Sequence, residues 1–226
     1  MSTGCEILQL KIYLKHLSPM IWRRVLVPTS MTLRELHGVI QVSMGWEGHH
    51  LYVFNLHAVD YGPIDLCVAN PDLPLSDFEL RTKDRFSYVY DMGDYWEHEI
   101  RIEDILTAKP KTSYPVCTGG ARRCPREDSG GVAGHQFREE EAFGYEAWRD
   151  LDTIFGFHQN MLDKCDCGEV PTGDDLYEVE DALDRARARQ RYLDDKFSRK
   201  DVNDLFRQGR HEKLKFQNTE VIFEFG

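Results

Sequence analysis

The sequence predicts an α+β fold: a mostly antiparallel sheet packed against helices, with a helical C-terminal part. Three observations predict it. Residues 7–14 and 95–102 alternate apolar and polar side chains, as half-buried strands do, and residues 32–44 carry a capped helical repeat. From about residue 137 onward, apolar residues recur three and four apart. The chain has 226 residues, 41% of them hydrophobic, which suffices for one domain with a helical appendix.

In the first strand Leu8, Leu10, Ile12 and Leu14 share the face expected to meet the core. A second strand, Ile21 to Val27, stops at Pro28 and is placed to form a hairpin with the first. Thr32 followed by Glu35 is a capping box, and Leu33, Leu36, Ile40 and Met44 continue at helical spacing until Gly45. Residues 51–56 read as a strand and 60–80 as a connection without periodicity. Residues 86–91 and 95–102 read as two strands joined by Met92-Gly93-Asp94, with Trp96, His98, Ile100 and Ile102 on one face. The Pro-, Gly- and Cys-rich stretch 109–134 reads as a loop. Helices are expected over 139–150, 151–163, 174–194 and 198–208, broken by Cys165-Asp166-Cys167-Gly168 and Pro171, and residues 221–225 have strand character.

The termini carry neither a signal-peptide pattern nor a long apolar run, so the protein is expected in the cytoplasm and off the membrane. Six irregularly spaced cysteines fall short of a disulfide scaffold and leave free thiols or a metal site. The net charge of -11 argues against a general polyanion binder, because such proteins gain affinity by neutralising phosphates. The charge is uneven. Residues 86–184 hold 9 basic and 23 acidic side chains, a balance of -14, whereas 185–226 hold 11 and 7, a balance of +4. DNA binding, if any, is therefore expected to be weak and to run through 185–215.

Three groups of residues have atoms suited to chemistry. In the first, the turn places Asp91 and Asp94 close together, with His98 further along the strand. These are candidate catalytic groups, as cation ligands or as base and orienter; the competing reading has both aspartates bonding the turn backbone and His98 packed in the core. In the second, Trp46, His50, Tyr90 and Trp96 form a candidate partner-binding face. His49 and His50 point to opposite sides of a strand, so at most one joins a site with His37 or His98. In the third, Cys117, Cys124, Cys165 and Cys167 offer four thiolates that would hold zinc tetrahedrally, with His135 as a substitute ligand. Their internal gaps of six and one residues differ from the usual knuckle spacing, and cysteines packed as small hydrophobes are the alternative. Phosphate loops, dinucleotide fingerprints, His-Glu-x-x-His and Gly-x-Ser-x-Gly are all absent.

A set of ordered motifs runs through the first two thirds of the chain: Ile21-Trp22-Arg23-Arg24, Leu33-x-x-Leu36-His37, Met44-Gly45-Trp46 with His50-Leu51-Tyr52-x-Phe54, and Tyr88-x-Tyr90-Asp91-Met92-Gly93-Asp94-x-Trp96-x-His98. Tyr114-Pro115-x-Cys117-x-Gly119-Gly120 and Cys124-Pro125-x-Glu127-Asp128-x-Gly130-Gly131 complete them. In order and spacing they resemble the plasmid pRiA4b ORF-3-like family, whose members are also described as insertion-element passenger, or TnpR-like, proteins. The chain departs from the family pattern at Ser129, where a third cysteine is frequent, and at His135, where an aromatic residue is. The resemblance runs from about residue 5 to 150 and implies an ORF-3-like α+β core over 1–150; the helical spacing beyond it predicts an extension over 151–226 that ends in a short strand. The resemblance also implies a role with mobile genetic elements without implying a reaction. The function expected first is a non-catalytic binding or accessory protein with a protein or nucleic-acid partner. The alternative, which rests on Asp91, Asp94 and His98 with His37 or His50 completing the shell, is a metal-dependent hydrolase acting on phosphodiesters.

Overall fold

The computed structural model describes residues 6–168, 173–194 and 196–216. The strand expected at 221–225 and the break expected at Pro171 lie outside the described residues. The chain forms two compact units: Met1–Val132 with Phe197–Gly226, and Ala133–Lys196.

The first unit is built on a seven-stranded antiparallel sheet in the order β4-β3-β5-β6-β1-β2-β7. Its strands are β1 (Glu6–Leu14), β2 (Trp22–Pro28), β3 (Tyr52–Leu56), β4 (Val59–Tyr61), β5 (Arg85–Tyr90), β6 (Trp96–Thr107) and β7 (Val116–Ala121). Leu8, Leu10, Ile12 and Leu14 of β1 are buried, as are Trp96, His98, Ile100 and Ile102 of β6. The alternate positions, Lys11, Glu97, Glu99 and Arg101 among them, are half-buried, as on an antiparallel sheet with one solvated face.

Helix α1 (Leu33–Met44) lies on the buried face. Thr32 Oγ1 accepts the Glu35 amide, Glu35 accepts the Thr32 amide in return, and Gly45 at φ 87° ends the helix. Leu33, Leu36, Val39, Ile40 and Met44 are buried. At about 1.5–3 kcal/mol per buried side chain, packing rather than helix propensity holds α1 in place. Helices α5 (Arg199–Arg207) and α6 (Arg210–Leu214) pack in this unit through Val202, Phe206, His211 and Leu214. Gly38 of α1 stands against the His211 carbonyl, an approach that leaves no room for a Cβ.

The structure differs from expectation in three places. Residues 109–134 contain β7, whose Thr-Gly-Gly segment lacks the alternation that marks a strand. Its pairing comes from tertiary partners: β2 on one side and Asn203 of α5 on the other. The Asn203 amide accepts from the Cys117 N–H at 2.8 Å and donates to the Cys117 carbonyl at 2.9 Å, so it caps the sheet edge as another strand would. Residues 60–80 hold the end of β4 and two 3-10 turns. The helix break expected near residue 150 falls instead at Gly144, between α2 (Gly131–Phe143) and α3 (Tyr145–Cys167).

The second unit is helical. Helix α3 and helix α4 (Gly173–Asp194) pack together, and the buried Asp150 carboxylate accepts from Arg185 Nη2 at 2.7 Å and meets Arg189 Nη1 at 2.6 Å. The Arg185 and Arg189 guanidiniums hold the Asp150 carboxyl below the usual carboxylate range. No helix among the described residues is long and apolar enough to cross a membrane.

Candidate functional site

Three segments of the first unit meet at one end of the sheet: residues 45–50 after α1, the β5–β6 hairpin at 91–95, and the loop 122–131. Buried aromatic residues tie them together. The Trp46 ring stacks on Tyr90 at 5.0 Å and meets His98 edge-on at 5.4 Å, and its indole N–H donates to the Pro125 carbonyl at 2.8 Å. The Tyr90 hydroxyl donates to Glu127 Oε1 in a short hydrogen bond and accepts the His50 amide at 3.3 Å. Burial first, and then the Glu127 carboxylate, raise the Tyr90 pKa, so the phenol stays protonated and keeps donating. Glu127 Oε2 accepts the Glu47 amide at 2.9 Å, which links the first and third segments.

The two hairpin aspartates have different tasks. Asp91 takes a left-handed φ of 61°, and its Oδ1 accepts the Gly93 and Asp94 amides at 2.9 and 3.2 Å, as an Asx turn does. Asp94 Oδ2 reaches across to the loop and accepts the Ser129 and Gly130 amides at 2.8 and 3.1 Å. Gly131, at φ 64°, lies against the Asp94 carbonyl, where any larger residue would collide.

His98 does not join the aspartates. It is fully buried, its Nδ1 3.3 Å from the Tyr88 carbonyl, and burial lowers its pKa to about 4. His37 is equally buried, stacked on Tyr52 at 3.8 Å with Nδ1 2.7 Å from the Tyr88 hydroxyl. Gln41 Nε2 donates to the same hydroxyl at 3.0 Å, and burial lowers the His37 pKa to about 3. Both imidazoles are neutral at pH 7 and shielded from solvent. Trp46, Tyr90 and Trp96, expected on a binding face, are core residues with 3% exposure or less. They position that end of the sheet from beneath.

Among the described residues, one group of three His, Cys, Asp or Glu side chains brings its ligand atoms together: His50, Asp91 and Asp128, all within 4.8 Å of one another. His50 Nε2 is 3.1 Å from Asp128 Oδ1 and 3.7 Å from Asp91 Oδ2. Asp128 was not singled out as a site residue from the sequence. The signal that points to it is its place after Glu127 and before the Gly130-Gly131 turn, which the motif contains.

The thiols occupy different settings. Cys117 and Cys124 are buried in the first unit; burial pushes the Cys124 thiol up to about 12 and raises that of Cys117. Both are protonated small side chains at neutral pH. Cys165 and Cys167 are exposed at the end of α3 in the second unit. His135 is buried on α2, 3.6 Å from Glu139.

The sequence pattern of the plasmid pRiA4b ORF-3-like protein family matches residues 6–142, which takes in the whole sheet and every residue of the site. The uncharacterized protein y4hQ of Sinorhizobium fredii is 38% identical over 140 residues, 58% of this chain and 70% of that protein. A crystal structure of a protein of unknown function from Methanosarcina mazei Go1 superposes with a TM-score of 0.60 at 32% identity. That match covers 64% of this chain and 85% of the other.

Proposed function

We propose, for a chain that belongs to the plasmid pRiA4b ORF-3-like family, a role as a non-catalytic binding or accessory protein associated with mobile genetic elements. The partner is taken at the end of the sheet where the three segments meet. One observation carries this reading: the segments are fixed to each other from beneath, while Met92 and Tyr95 at the hairpin tip are 40% and 58% exposed. Exposed apolar and aromatic side chains on an already ordered hairpin bind at a low entropic cost, as binding loops on rigid scaffolds do. Tyr95 is held at a φ of 53°, a conformation uncommon for an aromatic residue and compatible with a hairpin shaped for contact.

Burial of His37 and His98 supports the non-catalytic reading, because a neutral imidazole closed off from solvent cannot exchange protons with a substrate. The hairpin lies in the segment with a balance of -14, so a protein partner suits it better than a nucleic acid. The test is affinity capture with the full chain from cells that carry the mobile element, compared with a Met92→Ala, Tyr95→Ala variant. A partner retained by the native protein and lost with the variant supports the reading. Equal capture by both, or turnover of a phosphodiester substrate by the native protein, overturns it.

A further inference from the structure

We propose that His50, Asp91 and Asp128 form a binding site for a divalent transition-metal ion, one imidazole nitrogen and two carboxylate oxygens furnished by three different loops. The spacing is that of a ligand set. Around an ion with bonds of ~2.0–2.2 Å, neighbouring ligand atoms stand roughly 3–4 Å apart. Here His50 Nε2 lies 3.1 Å from Asp128 Oδ1 and 3.7 Å from Asp91 Oδ2.

A second, independent observation points into the same space. Asp91 is 6% exposed, and its Oδ1 is taken up by the Gly93 and Asp94 amides. Its Oδ2 faces His50 Nε2 at 3.7 Å. One carboxylate oxygen is thus spent on fixing the turn, which leaves the other aimed at His50 and Asp128 as a pre-oriented ligand atom.

The third ligand is held although its side chain is 74% exposed. Glu127, just before it, is fastened by the Tyr90 hydroxyl and the Glu47 amide, and Ser129 and Gly130, just after it, are fastened by Asp94. Asp128 therefore projects from a loop clamped on both sides, which reduces the ordering that ion binding demands. The exposed side of Asp128 leaves the remaining coordination positions to solvent. One imidazole with two carboxylates suits divalent ions such as Mn2+ or Zn2+ and disfavours Cu+, which prefers sulfur. The site is independent of the partner reading: a bound ion here neither requires nor excludes the exposed hairpin contact.

The experiment titrates chelator-stripped full-length protein with Mn2+ and follows the ion by electron paramagnetic resonance, with electron spin-echo modulation to detect a coordinated imidazole nitrogen. The expected result is a single bound ion per chain with nitrogen coupling. His50→Gln removes the coupling, and Asp128→Asn, at an exposed position that leaves the fold intact by circular dichroism, weakens affinity at least about tenfold. A Cys165→Ser, Cys167→Ser variant binds as the native protein does. The proposal is overturned if native protein shows no saturable binding at millimolar Mn2+, if the bound ion lacks nitrogen coupling, or if the combined His50→Gln, Asp128→Asn variant retains native affinity.

Discussion

Asp94 Oδ2 accepts the Ser129 amide at 2.8 Å, a bond across 35 residues of sequence that fastens the β5–β6 hairpin to the loop carrying Glu127 and Asp128. The Gly130 amide shares the same oxygen at 3.1 Å. The carboxylate thus shapes the neighbouring loop instead of facing a substrate.

Removing that carboxylate is expected to free the loop without unfolding the sheet. Asp94→Ala leaves two amides without their charged acceptor, at a cost of about 1–3 kcal/mol. Hydrogen exchange at residues 127–131 accelerates in the variant, while exchange in β1 and β6 stays native. The Asp128→Ala variant serves as the comparison, since its side chain does not bond those amides. Unchanged exchange over 127–131 in Asp94→Ala would show that the loop is held by something else.

Stability is expected to fall as the solution is acidified below about pH 6.5, through His37 and His98. In the unfolded chain these imidazoles titrate near 6.5, whereas burial lowers their folded values to about 3 and about 4. Between those limits the unfolded state binds more protons, so the stability gained from keeping the rings neutral is complete above pH 6.5 and is lost as pH falls toward 4 and then 3. The steepest contribution is ~1.4 kcal/mol per pH unit for each histidine. The Arg34 cation adds to the effect at His37, while the Tyr88 and Trp96 carbonyls and Glu97 oppose it at His98. Urea unfolding of native protein and of His37→Gln at pH 4.5, 5.5 and 7 measures it. The variant should show a shallower dependence, and parallel curves would refute the assignment.

Two glycine-to-alanine substitutions should act in opposite directions. At Gly38 the added methyl meets the His211 carbonyl and, at 3.2 Å, the Lys215 amide, so α6 must move away from α1. The expected loss is about 1–3 kcal/mol. At Gly156, inside α3, a methyl meets no atom within 4 Å. There alanine should raise helix stability by about 0.5–1 kcal/mol, because glycine carries the greater backbone entropy in the unfolded chain. Thermal unfolding followed by circular dichroism distinguishes the two.

Nucleic-acid binding through 185–215 is best tested by substitution, not truncation. Removing everything after residue 184 would also remove Val202, Phe206 and Leu214 from the core of the first unit. Several cations of the stretch are already engaged: Arg185 and Arg189 with Asp150, Arg207 with Asp204, and Lys215 with Glu212 and Glu35. Among the described residues Lys196, Arg199, Lys200, Arg210 and Lys213 are exposed and outside these pairs. Any shift of duplex DNA by native protein should be weak, vanish as salt rises from 50 to 200 mM, and disappear when these five become glutamine. Binding that survives the substitutions would locate it elsewhere.

By itself the sequence determined the α+β class, the face of β1 and of β6 that meets the core, and both ends of α1. Strand period, the Thr32–Glu35 capping box and the Gly45 stop are local properties, written within a few residues of where they act. Family membership was legible for a related reason, since the order and spacing of motifs need no coordinates. Only the tertiary structure decided that Val116–Ala121 is a strand, because its hydrogen bonds come from β2 and from Asn203, far away in sequence. For His98 the sequence offered both a core position and a site with Asp91; the tertiary structure decided for the core, and it alone brought His50 and Asp128 to Asp91. A strand's alternation sends His98 into the core, whereas Asp91 lies in the turn, where the chain reverses and its carboxylate faces the neighbouring loops. A site assembled from three loops rests on contacts of long sequence separation, and no local pattern in the chain records those.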